Sequence, residues 1–189
     1  MSYTTIDKPE DYFNTKLYSG SGSASNITGV GFQPDWVWIK CRTNAVSHSL
    51  NDSVRGANKQ LESNDSGMET SFTNALTAFG SDGFTVDTSG ETGQSGRTYA
   101  SWNWLGANGT ASNSDGSITT TVSANTTSGF SIIDFTGNES NSSIGHGLGV
   151  APSMFIMKRY TDDGYADTGE WYVYHKDLAS DKYLRLQST

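Results

Sequence analysis

Residues 26–42 read NITGVGFQPDWVWIKCR, and residues 143–159 read SIGHGLGVAPSMFIMKR. Pro34 falls on Pro152 and Lys40 on Lys158, both 118 positions on, and the Gly29-Val30-Gly31 run falls on Gly147-Leu148-Gly149 at the same offset. Upstream, Phe13, Tyr18 and Gly20 meet Phe130, Phe135 and Gly137 at an offset of 117, so the second copy carries one inserted residue between the two blocks. Self-similarity of this kind means that one supersecondary unit is used twice. In the first copy Pro34 opens a strand, a position that can spare its N–H. Trp36 and Trp38 then point one way, Val37 and Ile39 the other. A strand apolar on both faces belongs between two layers, as in a sandwich. Lys40 and Arg42 return the chain to water, and Met154–Met157 followed by Lys158 and Arg159 repeats the logic.

Working outward, Phe13–Tyr18 alternates and ends in the Ser19–Gly22 turn. Val46, His48 and Leu50 alternate with serines and predict a weak strand; Trp171–His175 is its stronger counterpart in the second copy, which would make His48 and His175 repeat equivalents. Asp82-Gly83 between Ala78-Phe79 and Phe84–Val86 predicts a tight hairpin. Gly90–Gly96 reads as a loop. Tyr99–Leu105 predicts a strand with Ala100, Trp102 and Trp104 on one face and Tyr99, Ser101 and Asn103 on the other. Ile118–Val122 and Phe130–Phe135 predict two more strands around Ala124–Gly129. No stretch has helical periodicity, so the fold is expected to be all-β, a β-sandwich repeat. The expected organisation is an N-terminal arm at 1–11, a first sandwich at 12–107, a linker at 108–116 and a second, incomplete sandwich at 117–189. The second copy shows no counterpart of the Asp82–Val86 hairpin or of the Trp102/Trp104 strand, so the chain reads as cut short of a full second domain.

Composition narrows the class. The 189 residues carry a net charge of −8, which argues against a partner bound through nucleic-acid phosphates. Charged residues make up only 17%, while aromatics reach 12% and there are 21 glycines. That balance points to short strands and many turns, and away from a disordered chain. The single cysteine, Cys41, excludes an intramolecular disulfide and reads as a small buried hydrophobe. The N-terminus has no basic start followed by an apolar run, and no apolar stretch approaches a membrane span, so synthesis in a cytoplasm and no membrane insertion are expected.

The residues supply no reaction. There is no Walker A loop, no GxSxG elbow and no spaced pair of carboxylates for glycoside cleavage. The GxGxG of Gly145–Gly149 lacks a following helix and reads as a turn. His48, His146 and His175 have no metal-ligand spacing; His146 reads as a loop-packing residue. Asp162, Asp163, Asp167 and Glu170 form an acidic loop that lacks the calcium-loop pattern and reads as a solvated hairpin tip. Asn-x-Ser/Thr sites such as Asn26-Ile27-Thr28 follow from composition. Catalytic residues, metal ligands and cofactors are expected to be none, and no ligand-binding residue is assigned. Of the five tryptophans, Trp36, Trp38, Trp102, Trp104 and Trp171, most read as core, with Trp171 or Tyr172 the best placed for exposure and sugar stacking.

The blocks YFNTKLYSGSG, ITGVGFQPDWVWIK, DSVRGANKQL, SDGFTV, YASWNW, TTTVSANTTSGFSI, GHGLGVAPSMFIMK and WYVYHKDL together resemble a family of phage virion proteins found in marine and cyanobacterial bacteriophages. The resemblance covers essentially residues 12–189. It implies concanavalin-like lectin sandwiches in repeat, genes labelled tail fibre or structural protein, members that run on to finish the second copy, and no catalytic residues. The expectation is therefore a non-enzymatic virion structural protein, made in the host bacterial cytoplasm. Its expected partners are other virion proteins and further copies of itself, with host-surface glycans as a candidate ligand bound multivalently. A capsid decoration or connector protein is the alternative, and a polysaccharide depolymerase a third reading.

Overall fold

In the computed structural model, residues 6–162, 164, 169–179 and 181–187 are described. After a short 3-10 turn at Pro9–Asp11, these residues form fifteen strands. The first repeat holds β1 (Phe13–Ser19), β2 (Ser25–Thr28), β3 (Trp36–Cys41), β4 (Ser49–Asp52), β5 (Lys59–Gln60), β6 (Thr70–Ser71), β7 (Leu76–Gly80), β8 (Gly83–Val86) and β9 (Thr98–Trp104). The second holds β10 (Ala111–Asn113), β11 (Thr120–Asn125), β12 (Phe130–Asp134), β13 (Met154–Lys158), β14 (Trp171–His175) and β15 (Leu184–Arg185). The protein is all-β and its named strand pairs are antiparallel.

The sheet β1-β9-β3-β4 packs on the sheet β2-β8-β7. Between them lie Ile27, Val37, Ile39, Cys41, Leu76, Phe84, Val86 and Tyr99. Val37 and Ile39 face this core because side chains alternate along a strand. Cys41 is buried beside them, as its sequence position implied. The other end of this inner face is polar: Ser49, Asn51, Gln60, Ser101 and Asn103 are all buried. They are tolerated because they bond one another and the backbone. Asn103 donates to the Asn14 carbonyl at 3.0 Å, and Ser49 donates to Asn51 and Gln60. Gln60 in turn donates to Glu91, whose carboxyl is pushed up by burial.

Trp36, Trp38, Trp102 and Trp104 project from the opposite face of the four-stranded sheet, Trp36 directly across from Trp104 and Trp38 from Trp102. The second repeat packs over Trp36, Trp38 and Trp104. Phe130 stacks on Trp36 and Trp104, and Trp171 joins Leu50 and Leu61 in a cluster flanked by Trp36, Trp38, Ile156, Tyr160 and Leu186. The two-sided burial expected for β3 is therefore met, with a sandwich core on one side and the inter-repeat contact on the other. At the joint, buried Asp35 accepts from the Ser53 hydroxyl and from the Gly106 and Asn108 amides at 2.8 and 3.0 Å.

The hairpin forms with Ser81-Asp82 as its two-residue loop. Gly83 has φ +146, and a Cβ there would sit 1.9 Å from the Ile27 carbonyl oxygen of β2, so only glycine fits. Other expectations shift. The Val46–Leu50 strand is not formed; β4 begins at Ser49. The backbone before it is held by side chains instead of a ladder: Lys40 donates to the Val46 carbonyl, and the His48 amide donates to Asn64. Ile118 lies before β11, its amide donating to the Ser143 carbonyl. The 108–116 stretch contains β10, which pairs with β11.

Pairing registers extend the repeat beyond what identity shows. β12 stands where β1 does, and β13 where β3 does. Met154 faces His175 as Trp36 faces Asp52, so His175 takes the place of Asp52 and is not the equivalent of His48. The Leu50–Leu61 bridge of the first repeat returns as the Val173–Leu184 pair of the second.

Candidate assembly surface

The sheet β13-β14-β15 has two unlike faces. Alternation along β13 and β14 turns Ile156, Trp171 and Val173 toward the first repeat. It turns Phe155, Met157, Tyr172 and Tyr174 away from it. Trp171 is buried, which corrects its expected exposure. Its indole N–H donates to the Glu62 and Asp65 carbonyls at 2.8 and 3.1 Å, so the 62–65 loop wraps it. Isolated sequence cannot reveal this, because the covering loop is over a hundred residues away. Tyr172, the other candidate, is half-buried.

Lys158 lies on the same inner side. Its ammonium donates to the Ser66 carbonyl at 2.8 Å and sits 5.5 Å from the centre of the Trp171 ring. Burial lowers its pKa to about 8. In the first repeat Lys40 makes the matching contact, to the Val46 carbonyl. Tyr160 donates to Asp134 at 2.7 Å, and burial together with that carboxylate pushes its phenol up to about 12. Arg55, bonded to Asp52 and Glu69, lies over the Tyr160 ring. Of these contacts, the Lys158 bond to Ser66 and the Arg55–Tyr160 contact pin one repeat to the other.

The outward face is apolar and open. Phe155 stacks on Tyr174 with ring centroids 4.9 Å apart, and Tyr183 meets Tyr172 edge-on at 5.0 Å. Phe155, Met157 and Tyr183 count among the exposed large hydrophobic residues. Contiguous exposed apolar surface of this kind marks an interaction site. The sequence reading touches this face only at Tyr172, one of its two candidates for exposure; Phe155 and Met157 read there as part of the central strand of the second copy.

The remaining candidates do not converge. His48 accepts from the Trp38 indole at 2.9 Å, burial lowering its pKa; His146 accepts from the Leu148 amide; His175 sits near Asp177. Of the acidic loop, Asp163 and Asp167 lie outside the described residues, Asp162 caps the Gly164 amide and Glu170 pairs with Arg185. Among the described residues no cluster of three or more His, Cys, Asp or Glu could hold a metal ion, and no helix is long and apolar enough to cross a membrane. A shallow hollow lies over the glycine loop, lined by Asp115, His146, Gly147, Gly149 and Val150.

Over residues 8–189 the sequence matches the family described as a domain of unknown function, DUF7483. The chain belongs to the DUF7483 family. The match runs from before β1 to beyond β15, so this family's domain takes in both repeats and the open sheet face together. No curated protein and no solved structure matches the chain.

Proposed function

We propose that the protein is a non-enzymatic structural component of a tailed-bacteriophage virion, tail fibre or tail-associated, that makes assembly contacts through the outward face of β13-β14-β15. The observation that carries this reading is the open aromatic face of Phe155, Met157, Tyr172, Tyr174 and Tyr183. Interfaces are enriched in aromatics and methionine, and aromatic side chains bring large contact area at low entropic cost. The virion setting rests on the resemblance of the sequence blocks to phage structural proteins, with lectin-like sandwiches as the implied architecture. Further copies of the chain and other virion proteins are the proposed partners, and host-surface glycans a proposed additional ligand.

A connector or decoration role without glycan affinity is the second reading. It is favoured by the burial of Trp171 and by the stacking of Trp36 and Trp104 on Phe130, which spend inside the protein the rings best suited to sugar stacking. Cryo-electron microscopy of intact virions tests both. Density on distal appendages supports the tail-fibre role, density among capsid or tail proteins supports the connector, and absence of the chain from purified particles overturns both.

A further inference from the structure

The joint between the repeats holds a hydrogen bond whose two partners cannot both keep their roles in acid. Trp38 projects from β3 and packs against the cluster of Leu50, Leu61 and Trp171. Its indole N–H donates to Nδ1 of His48 at 2.9 Å, with the ring centroids 5.9 Å apart and the planes tilted by 53°. An indole nitrogen only donates, so His48 is neutral here, with its proton on Nε2 and a lone pair on Nδ1. The same residue is tied to a second part of the joint through its backbone. Its amide donates to Asn64 Oδ1 at 2.8 Å, and the Asn64 side-chain nitrogen donates to the Ser47 hydroxyl at 3.3 Å. Asn64 belongs to the loop whose Glu62 and Asp65 carbonyls accept from the Trp171 indole. His48 therefore stands between two routes to Trp171, the Trp38 ring on one side and the 62–65 loop on the other.

We propose that the Trp38–His48 pair is an acid-sensitive latch on this joint: uptake of a proton at Nδ1 of His48 releases the Trp38 indole and loosens the 62–65 loop that encloses Trp171. Once both imidazole nitrogens carry protons, two donors face each other across the former bond, and no acceptor remains for the indole. Among the described residues, the charge that acts on His48 is the ammonium of Lys40 on β3, which donates to the Val46 carbonyl. The 62–65 loop faces His48 with the neutral Asn64, while its carboxylates act elsewhere, Glu62 on Glu91 and Asp65 on Lys158. Burial, and then the Lys40 charge, lower the His48 pKa from the ordinary 6.5. The unfolded chain thus takes up its proton at a higher pH than the folded one. The latch contributes in full above pH 6.5, and its contribution falls as the pH drops below that value. His146 and His175 are built differently, each accepting at Nδ1 from the backbone amide two residues on, a contact within its own turn. The latch acts inside the chain and does not depend on which partner meets the outward face.

The test is a nuclear magnetic resonance titration of the full chain, labelled with nitrogen-15, from neutral pH down to about pH 4.5. The His48 ring nitrogens should report the Nε2–H tautomer at neutral pH and protonate with a midpoint below 6.5. The Trp38 indole resonance and amide exchange at residues 62–66 should change with that same midpoint, exchange quickening several-fold while β2 and β8 stay protected. His48→Asn places an oxygen acceptor near the position of Nδ1 and does not titrate, so it should remove the step in both signals. An Nδ1–H tautomer at neutral pH overturns the proposal. So does protonation of His48 with no change at residues 62–66, a result read on the unaltered chain. A step of undiminished size in His48→Asn assigns the acid response to another group, such as Glu91, and overturns it as well.

Discussion

Phe130 lies flat against Trp36, ring centroids 5.8 Å apart and planes 12° from parallel, and through this contact β12 of the second repeat caps the tryptophan face of the first. The same ring also stacks on Trp104 at 6.2 Å. Phe130→Ala should therefore cost about 2–3 kcal/mol, at or just below the low end for a core phenylalanine because the ring is only half-buried. A urea melt followed by tryptophan fluorescence checks it: the midpoint should fall, and the native emission should shift to the red as water reaches Trp36 and Trp104.

Asp35 ties the end of the first repeat to the segment leading into the second. Its carboxylate accepts from Ser53, Gly106 and Asn108 with no solvent exposure. Asp35→Ala leaves those donors without an acceptor and should cost about 3 kcal/mol or more. Equilibrium unfolding should show the loss.

Trp171 holds the 62–65 loop by one N–H shared between two carbonyls. Trp171→Phe keeps a ring in the pocket but removes the donor, and about 1–2 kcal/mol should be lost. Hydrogen exchange should quicken at residues 62–66 while β3 and β9 stay protected.

Two groups at the joint give opposite pH dependences. The folded pKa of Lys158, about 8, lies below its ordinary 10.5, so between those values the unfolded chain binds a proton that the folded one does not. This group makes stability rise with pH across that window. Lys158→Met should flatten the rise in urea midpoint between pH 8 and 10.5.

Tyr160 acts the other way. Its folded pKa of about 12 exceeds the ordinary 10.0, so its contribution is full below pH 10 and is lost as pH rises toward 12. Spectrophotometric titration of the phenols should show a late-ionising group, to which Tyr18 and Tyr99 also contribute, and Tyr160→Phe should reduce its amplitude by one phenol.

By itself the sequence determined the fold class and its internal repeat, for a physical reason: strand alternation and turn chemistry are local. The strand from Trp36, the Tyr99–Leu105 strand and a hairpin between Phe79 and Phe84 were all legible from period-two patterning and glycine placement, with the turn read one residue late, at Asp82-Gly83 where the loop is Ser81-Asp82. The paired faces of β9 were legible too, down to which side Trp102 and Trp104 share. What patterning could not supply is what lies against each face. An alternating strand states that a side is apolar, not which distant segment covers it. Hence Trp171, which looked free for a ligand, is enclosed by the 62–65 loop, and His175 stands in the place of Asp52 because register, not residue identity, sets equivalence. Phe155 and Met157 read as core by the same rule that correctly buried Val37 and Ile39. Only the tertiary structure decided that the first pair is open and the second covered, because burial depends on the layer opposite, and that layer is a product of topology.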